Sequence, residues 1–459
     1  MDNLPTELLC NIATLLDKGD AATLRIVCKA VSQAATSALF SNVKLSPADK
    51  SIAKFLNIIS TPSLAGCVRV VCIDTSEQDQ YANGGTADLT PLFKAAFRRV
   101  FEFPSLSGVT LQFDGNCVGP EEEGKYKWSE CHEDLEFRTD VLLMLFDELD
   151  NTDPAVENIR TLSIEHLQNV NDERVVSHFD FKTVLRRLRT LCLFISNEDD
   201  DAAPENAISL PEPHKFMAEL PTTWLAHTTS NLTSLKLYSD SYIGYRPKLD
   251  LRNTRFAALK SLAFGNYTFT HSWQLEWILS HSSTLEKLYL DDCPILYHVL
   301  VYDDVDSEGY PANPINSTMA AFNGKNVWSY KARWHEYFER IQSGLPRLRE
   351  FRIGSGDWNG MEYPEPGDAF EDTAIMEVGL YPDRYMAYDE GIGPSQFTDE
   401  PSSERNDWKK YQPEAPELGP RPECDEEDES ALRSLLKSIG QAVVANEEYG
   451  PSLLREGRR

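Results

Sequence analysis

The chain has 459 residues, 41% of them hydrophobic and 10% aromatic, and a net charge of −29 with a pI near 4.7. That length accommodates two or three domains with a sizeable core, and the acidity excludes nonspecific binding to nucleic acid or to an anionic membrane, since both surfaces repel it. The nine cysteines are odd in number, scattered and without a Cys-x-x-Cys pair, which reads as reduced thiols. Met1-Asp2-Asn3 opens acidic, and the longest clean apolar run, residues 141–146, is far short of a membrane span. The expectation is a soluble protein of the cytoplasm and/or nucleus, with no secretory signal.

At the N-terminus Leu4, Leu8, Ile12 and Leu15-Leu16 recur at helical spacing, with Pro5 in the first turn, where its missing N–H costs little. Asp17, Gly19 and Asp20 break that pattern, and Asp20 can cap a second helix through Leu24 and Val27. A third, Ala-rich run spans residues 32–40, and Val43 and Leu45 then alternate like a short strand. Three helices this short cannot bury all their apolar faces on one another, so an apolar face is left over for a partner.

Leu4-Pro5-x-Glu7-Leu8, Ile12, Leu15, Leu24, Val27-Cys28-Lys29 and Leu39-Phe40-x-x-Val43 resemble an F-box motif of the kind common in fungal proteins, with Ala21 and Ala22 standing where a leucine is frequent. The resemblance implies docking onto a Skp-family adaptor and, through it, a cullin-RING ubiquitin ligase. On that reading residues 1–46 are the docking unit, and Leu4, Pro5, Leu8, Ile12, Leu15, Leu24, Val27, Cys28, Leu39 and Phe40 are its adaptor-binding residues. The other reading of the same residues is a helical subdomain packed on the rest of the chain.

Residues 47–65 read as a helical linker, with Ile52, Phe55, Leu56 and Ile59 on one face. From Val68 a pattern of apolar-x-x-apolar-x-apolar keeps returning: Val68-Val71-Ile73, Leu106-Val109-Leu111, Ile159-Leu162-Ile164 and Leu188-Leu191-Leu193. It continues as Leu232-Leu235-Leu237, Leu259-Leu262-Phe264, Leu285-Leu288-Leu290 and Leu348-Phe351-Ile353. The steps are 38, 53, 29, 44, 27, 26 and 63 residues. The shorter ones suit leucine-rich repeats, and the longer ones require insertions. Helical stretches are predicted at 178–188, 214–225, 271–280 and 327–341, the last placing Val327, Trp334, Phe338 and Ile341 on one face. Each strand-plus-helix unit leaves an apolar side that a neighbouring unit covers. The predicted fold class is therefore α/β: a three-helix F-box-like unit followed, over residues 66–356, by an irregular leucine-rich-repeat-like solenoid. An ordinary α/β domain whose strands share the pattern is the rival. The acidic insertions at 121–123, 198–201 and 302–313 read as solvent loops.

Residues 357–428 hold 21 acidic and 5 basic side chains and nine of the 26 prolines. That composition favours irregular structure, but Phe370, Tyr381, Tyr385, Tyr388, Phe397, Trp408 and Tyr411 are too many aromatics for a free tail, so part of the region is expected to pack. A closing helix is predicted at 429–444, with Leu432, Leu435, Leu436 and Ile439 on one side and a frayed end up to residue 459.

No chemistry announces itself. Gly354-Ser-Gly356 lacks both the third glycine at its place and a receiving helix. Asp304-Val-Asp306-Ser-Glu308-Gly309 lacks the twelfth-position glutamate of a calcium loop, which is Ile315 here. Cys131-His132-Glu133-Asp134 are adjacent and diverge, with no second ligand pair, so no metal or cofactor is expected. There is no His-Glu-x-x-His and no nucleophile elbow. The expected function is a non-catalytic substrate-receptor subunit of an SCF-type ligase, binding an unidentified client protein through the strand residues that face away from the core: Glu165, Phe194, Lys236, Tyr238, Tyr289, Asp291 and Arg352. The alternative is a scaffold or regulatory repeat protein that acts without a ligase.

Overall fold

The computed structural model describes residues 5–16, 18–76, 89–117, 133–150, 156–198, 208, 210–301, 304–312, 326–356, 378–390, 397–398, 420–441 and 453. The chain divides into two compact units, Met1–Leu167 with Asp172–Cys192, and Gln168–Asn171 with Leu193–Arg459.

The first unit opens with helices α1 (Thr6–Thr14), α2 (Lys18–Arg25) and α3 (Lys29–Leu39), followed by strand β1 (Asn42–Leu45) and helix α4 (Asp49–Ile59). Strands β2 (Val70–Asp74), β3 (Gly108–Gln112) and β4 (Thr161–Gln168) then follow. β1 to β4 lie parallel in chain order, with Asn42 opposite Val70, Val70 opposite Gly108 and Gly108 opposite Thr161. Parallel neighbours need a crossover, which α4 and the helices Pro91–Arg99 and Leu135–Leu149 supply. These helices bury Ile52, Phe55, Phe93, Phe97, Leu145 and Phe146 among Val71, Ile73, Val109, Leu111, Leu162 and Ile164 of the core.

Strand β5 (Thr190–Ser196) is divided between the units. In the second unit β6 (Ser234–Ser239), β7 (Ser261–Gly265) and β8 (Lys287–Asp291) are again parallel and sequential. Next come β9 (Ile295–Val301), β10 (Asn326–Ser329) and β11 (Glu350–Gly354), the last pairing in parallel with β8. β9 and β10 join β12 (Tyr385–Asp389) and β13 (Phe397–Thr398) in a separate four-stranded sheet, ordered β10-β9-β12-β13.

All eight apolar triplets land on strands, the first residue of each two positions before the strand begins. Every one of their residues is buried. At the strand entrances the residue after the first apolar one donates its N–H to the preceding strand's entrance: Ser107 to Arg69 O, Arg160 to Ser107 O, Glu286 to Lys260 O and Arg349 to Glu286 O. The repeat in sequence is thus a repeat in hydrogen bonding.

Three expectations are corrected. The helix predicted at 327–341 is a strand followed by a helix, Trp334–Gly344; Val327 is exposed on β10, while Trp334, Phe338 and Ile341 do share a buried face with Tyr337. The β-branched Val327 beside Trp328 suits a pleated edge as well as a helix, and pairing with β9 decided between them. Glu198, read as part of a solvent loop, is buried. The closing helix begins earlier, at Asp425, where four consecutive acids favour the positive end of the helix dipole. Tyr381, Tyr385 and Tyr388 of the acidic region are buried, and Phe397 is half-buried in the small sheet. Phe370, Trp408 and Tyr411 lie outside the described residues.

One turn depends on glycine. Gly244 has φ +110°, and a Cβ placed there would stand 2.6 Å from the Thr268 carbonyl oxygen, a backbone atom already accepting from Gln274. Gly244→Ala is expected to destabilise the protein by on the order of 3 kcal/mol, combining strain and overlap. A urea midpoint unchanged by the substitution would contradict this.

Candidate functional site

The three N-terminal helices divide their apolar residues between an inner and an outer side. Leu9 and Ala13 of α1 pack on Val31 and Ala34 of α3, with Cys10, Leu24, Cys28 and Ala38 against that cluster. Ala21 of α2 is buried as well, so a small residue lets α2 close onto α3. Pro5 begins α1, and its carbonyl accepts from the Leu8 and Leu9 N–H groups at 3.1 Å each. The short turn after α2, held by Ile26 N to Thr23 O and Val27 N to Leu24 O, throws two apolar side chains outward.

The outer side stays uncovered. Leu8, Ile12 and Leu15 are 48%, 41% and 85% exposed, and Ile26 and Val27 are 84% and 64% exposed. Residues 8, 12 and 15 form one stripe along α1. The five together equal roughly three fully exposed aliphatic side chains, worth on the order of 5–9 kcal/mol of gross burial free energy to whatever covers them. Monomeric surfaces scatter single apolar residues, whereas Leu8, Ile12 and Leu15 follow one another along one short helix.

Residues 1–41 match the F-box domain. The exposed stripe therefore belongs to a domain that implies binding to a Skp-type adaptor. Among curated proteins, none is similar to this chain.

Within the F-box, the structure separates the ten residues expected to bind the adaptor. Pro5, Leu8, Ile12, Leu15 and Val27 are exposed, Leu39 and Phe40 are half-buried, and Leu24 and Cys28 are half-buried against the inner cluster. The Arg25 guanidinium lies 5.4 Å from the centre of the Phe40 ring. Leu4 lies outside the described residues. Ile26 was not anticipated. It breaks the helical spacing, and its only signal is a second apolar residue directly before Val27.

The strand residues expected to meet a client are placed differently from that expectation. Glu165, Phe194, Tyr238, Tyr289 and Asp291 are buried, and only Lys236 and Arg352 are partly exposed. Strands in parallel register stand about 4.8 Å apart, so side chains on the same face reach one another. The Tyr238 ring lies over Gly265, where a Cβ would come within 2.2 Å of it, and its hydroxyl is 3.5 Å from Asp291. Arg352 Nε donates to Glu350 at 3.1 Å, and Glu350 also pairs with Lys287 at 3.0 Å.

Two polar runs noted in the sequence are held by structural bonds. Glu133 and Asp134, the described half of the 131–134 run, hold an arginine and cap a helix: Asp134 accepts from Phe137 N at 2.7 Å. Cys131 and His132 lie outside the described residues. In the calcium-like loop Asp306 accepts from Glu308 N and Tyr310 N, and Glu308 pairs with Arg252 and Lys248. Those cations hold the Glu308 carboxyl down near a pKa of about 2. Among the described residues no helix is long and apolar enough to cross a membrane.

Proposed function

We propose that the chain is a substrate-receptor subunit of a cullin-RING, SCF-type ubiquitin ligase. The F-box docks the Skp-family adaptor through Pro5, Leu8, Ile12, Leu15, Ile26 and Val27, and the rest of the chain holds a client protein. The observation that carries this reading is the exposed apolar stripe lying inside a matched F-box domain. A cap for the rest of the chain would instead have buried Leu8.

The sequential strands, most of them entered through the same hydrogen bond, support a leucine-rich-repeat-like solenoid as the client-holding part. Lys236 and Arg352 are the accessible members of its expected client face, whereas the buried tyrosines serve the face from within. Chemistry on this reading is supplied in trans: the receptor raises the effective concentration of client lysines near a charged conjugating enzyme and has no turnover of its own. It operates in the cytoplasm and/or nucleus.

The full chain is expected to co-purify with a Skp-family adaptor, and Pro5→Ala with Leu8→Ala to abolish this while leaving thermal unfolding nearly unchanged. Adaptor capture retained by the double variant would overturn the docking assignment. Ubiquitin transfer should require added adaptor, cullin, RING protein and charged conjugating enzyme. Transfer by the chain alone would refute the non-catalytic role.

A further inference from the structure

Two elements of the second unit bring together three side chains that no sequence motif connects. His335 is the second residue of helix Trp334–Gly344; Cys424 and Asp428 stand four apart at the start of helix Asp425–Ser438, on one face. His335 Nδ1 lies 3.1 Å from Asp428 Oδ1, and Cys424 Sγ lies 3.6 Å from Asp428 Oδ2. All three ligand atoms are within 4.8 Å of one another. The hydroxyl of Tyr385, on β12, sits beside them, 2.9 Å from Asp428 Oδ2 and 3.3 Å from Cys424 Sγ.

We propose that His335, Cys424 and Asp428 form a binding site for a zinc-like divalent cation. The donor set of one thiolate, one imidazole and one carboxylate suits a borderline-soft tetrahedral ion and not the hard, oxygen-loving magnesium or calcium. With metal–ligand bonds of about 2.0–2.3 Å, ligand atoms in a tetrahedron stand roughly 3.3–3.7 Å apart. The Cys424–Asp428 spacing already meets this, the His335–Asp428 spacing nearly does, and the Cys424–His335 edge is no longer than 4.8 Å.

The charges balance too. Arg384 Nε donates to Asp428 Oδ2 at 3.1 Å, and its other end pairs with Asp425. With a neutral thiol, two carboxylates against one guanidinium leave one negative charge in excess; once Cys424 has ionised the excess is two, which a divalent cation offsets. Arg384 then acts as the outer partner that orients Asp428. On binding, the Cys424 thiol proton leaves to water and the imidazole proton moves from Nδ1 to Nε2. Tyr385 keeps its proton and its hydrogen bonds with Asp428 and the Trp334 N–H, and a water takes the fourth position. Asp428 is fully buried while the His335 side chain is about a quarter exposed, so the cluster opens to solvent on the histidine side. The bound ion would pin the C-terminal helix to helix Trp334–Gly344 and to β12.

The test uses the chelator-treated full chain and cobalt(II) as the probe. One equivalent should produce a thiolate-to-cobalt charge-transfer band and the intense visible bands of a tetrahedral site, with zinc displacing the cobalt. One equivalent of zinc should also raise the unfolding temperature, as any ligand of the native state does. Cys424→Ser should lose the charge-transfer band. His335→Ala should lose the tetrahedral bands and the zinc-induced shift, the shift being read against the variant's own metal-free unfolding temperature. A charge-transfer band that survives Cys424→Ser would overturn the proposal. So would a wild-type chain that gives neither a cobalt spectrum nor a zinc-induced shift.

Discussion

Arg138→Ala is expected to destabilise the first unit by about 3–5 kcal/mol, the range for removing one partner of a buried ion pair. The guanidinium is buried and donates to four backbone carbonyls: Asp114 at 2.7 Å, His166 at 2.9 Å, Asn116 at 3.0 Å and Glu133 at 3.3 Å. It thereby ties the segment that leaves β3 to β4 itself and to the start of helix Leu135–Leu149. Glu133, also fully buried, lies 3.4 Å away and accepts from Asp114 N at 2.7 Å. Burial pushes its carboxyl up to about 7, and Arg138 opposes that rise. Without Arg138 the acid is left in a dry site with no guanidinium to offset its charge. Arg138→Ala with Glu133→Gln should recover part of the loss, because the uncompensated charge disappears while the lost carbonyl partners do not return. Urea unfolding of the three proteins would decide it, and a single variant within about 1 kcal/mol of wild type would sink the argument.

Glu198→Gln should change how stability depends on pH. Glu198 is buried, accepts from Asn169 Nδ2 at 2.9 Å and is pushed up to about 7, chiefly by burial, with nearby Glu212 and Asp240 adding like charge. The folded-state value is raised above the unfolded one. The group's contribution is therefore fully present below the unfolded value near 4.5 and is lost as pH rises towards 7. In that window the unfolded chain ionises while the folded chain keeps its proton. Removing the group should make the variant gain on wild type by about 3 kcal/mol between pH 4.5 and 7. The comparison must be between variant and wild type, because His166 and His214, pushed down to about 4 mainly by burial, favour the folded state in the opposite direction as pH rises. Parallel stability curves for the two proteins across that window would refute the assignment.

Much of this was legible in the chain itself, and the reason lies in which signals are local. The apolar triplets name their own strands because a buried parallel strand must present apolar side chains at fixed spacing, whatever surrounds it. The stripe of Leu8, Ile12 and Leu15 is likewise a property of one helix. Buried charge is not local: Glu198 sits in an acidic run that reads as solvent-exposed, and the Asn169 amide that donates to it comes from a separate segment. The same holds for Arg138, whose carbonyl partners come from three separated segments, and for the tyrosines 238 and 289, whose exposure depended on what lay beside them. Residues 295–301 and 385–389 are ninety residues apart in the chain, and nothing in either announces that they pair.

Sequence alone thus marked the first and third N-terminal helices and eight strands, since helix stripes and strand triplets are periodicities of a single segment; the second helix begins at Lys18, before the Asp20 expected to cap it, and ends at Arg25, before Val27. Only the tertiary structure decided which polar side chains are buried, which strands form the second sheet, and that His335, Cys424 and Asp428 meet. Those are relations between distant segments, set by packing, which no single stretch of chain encodes.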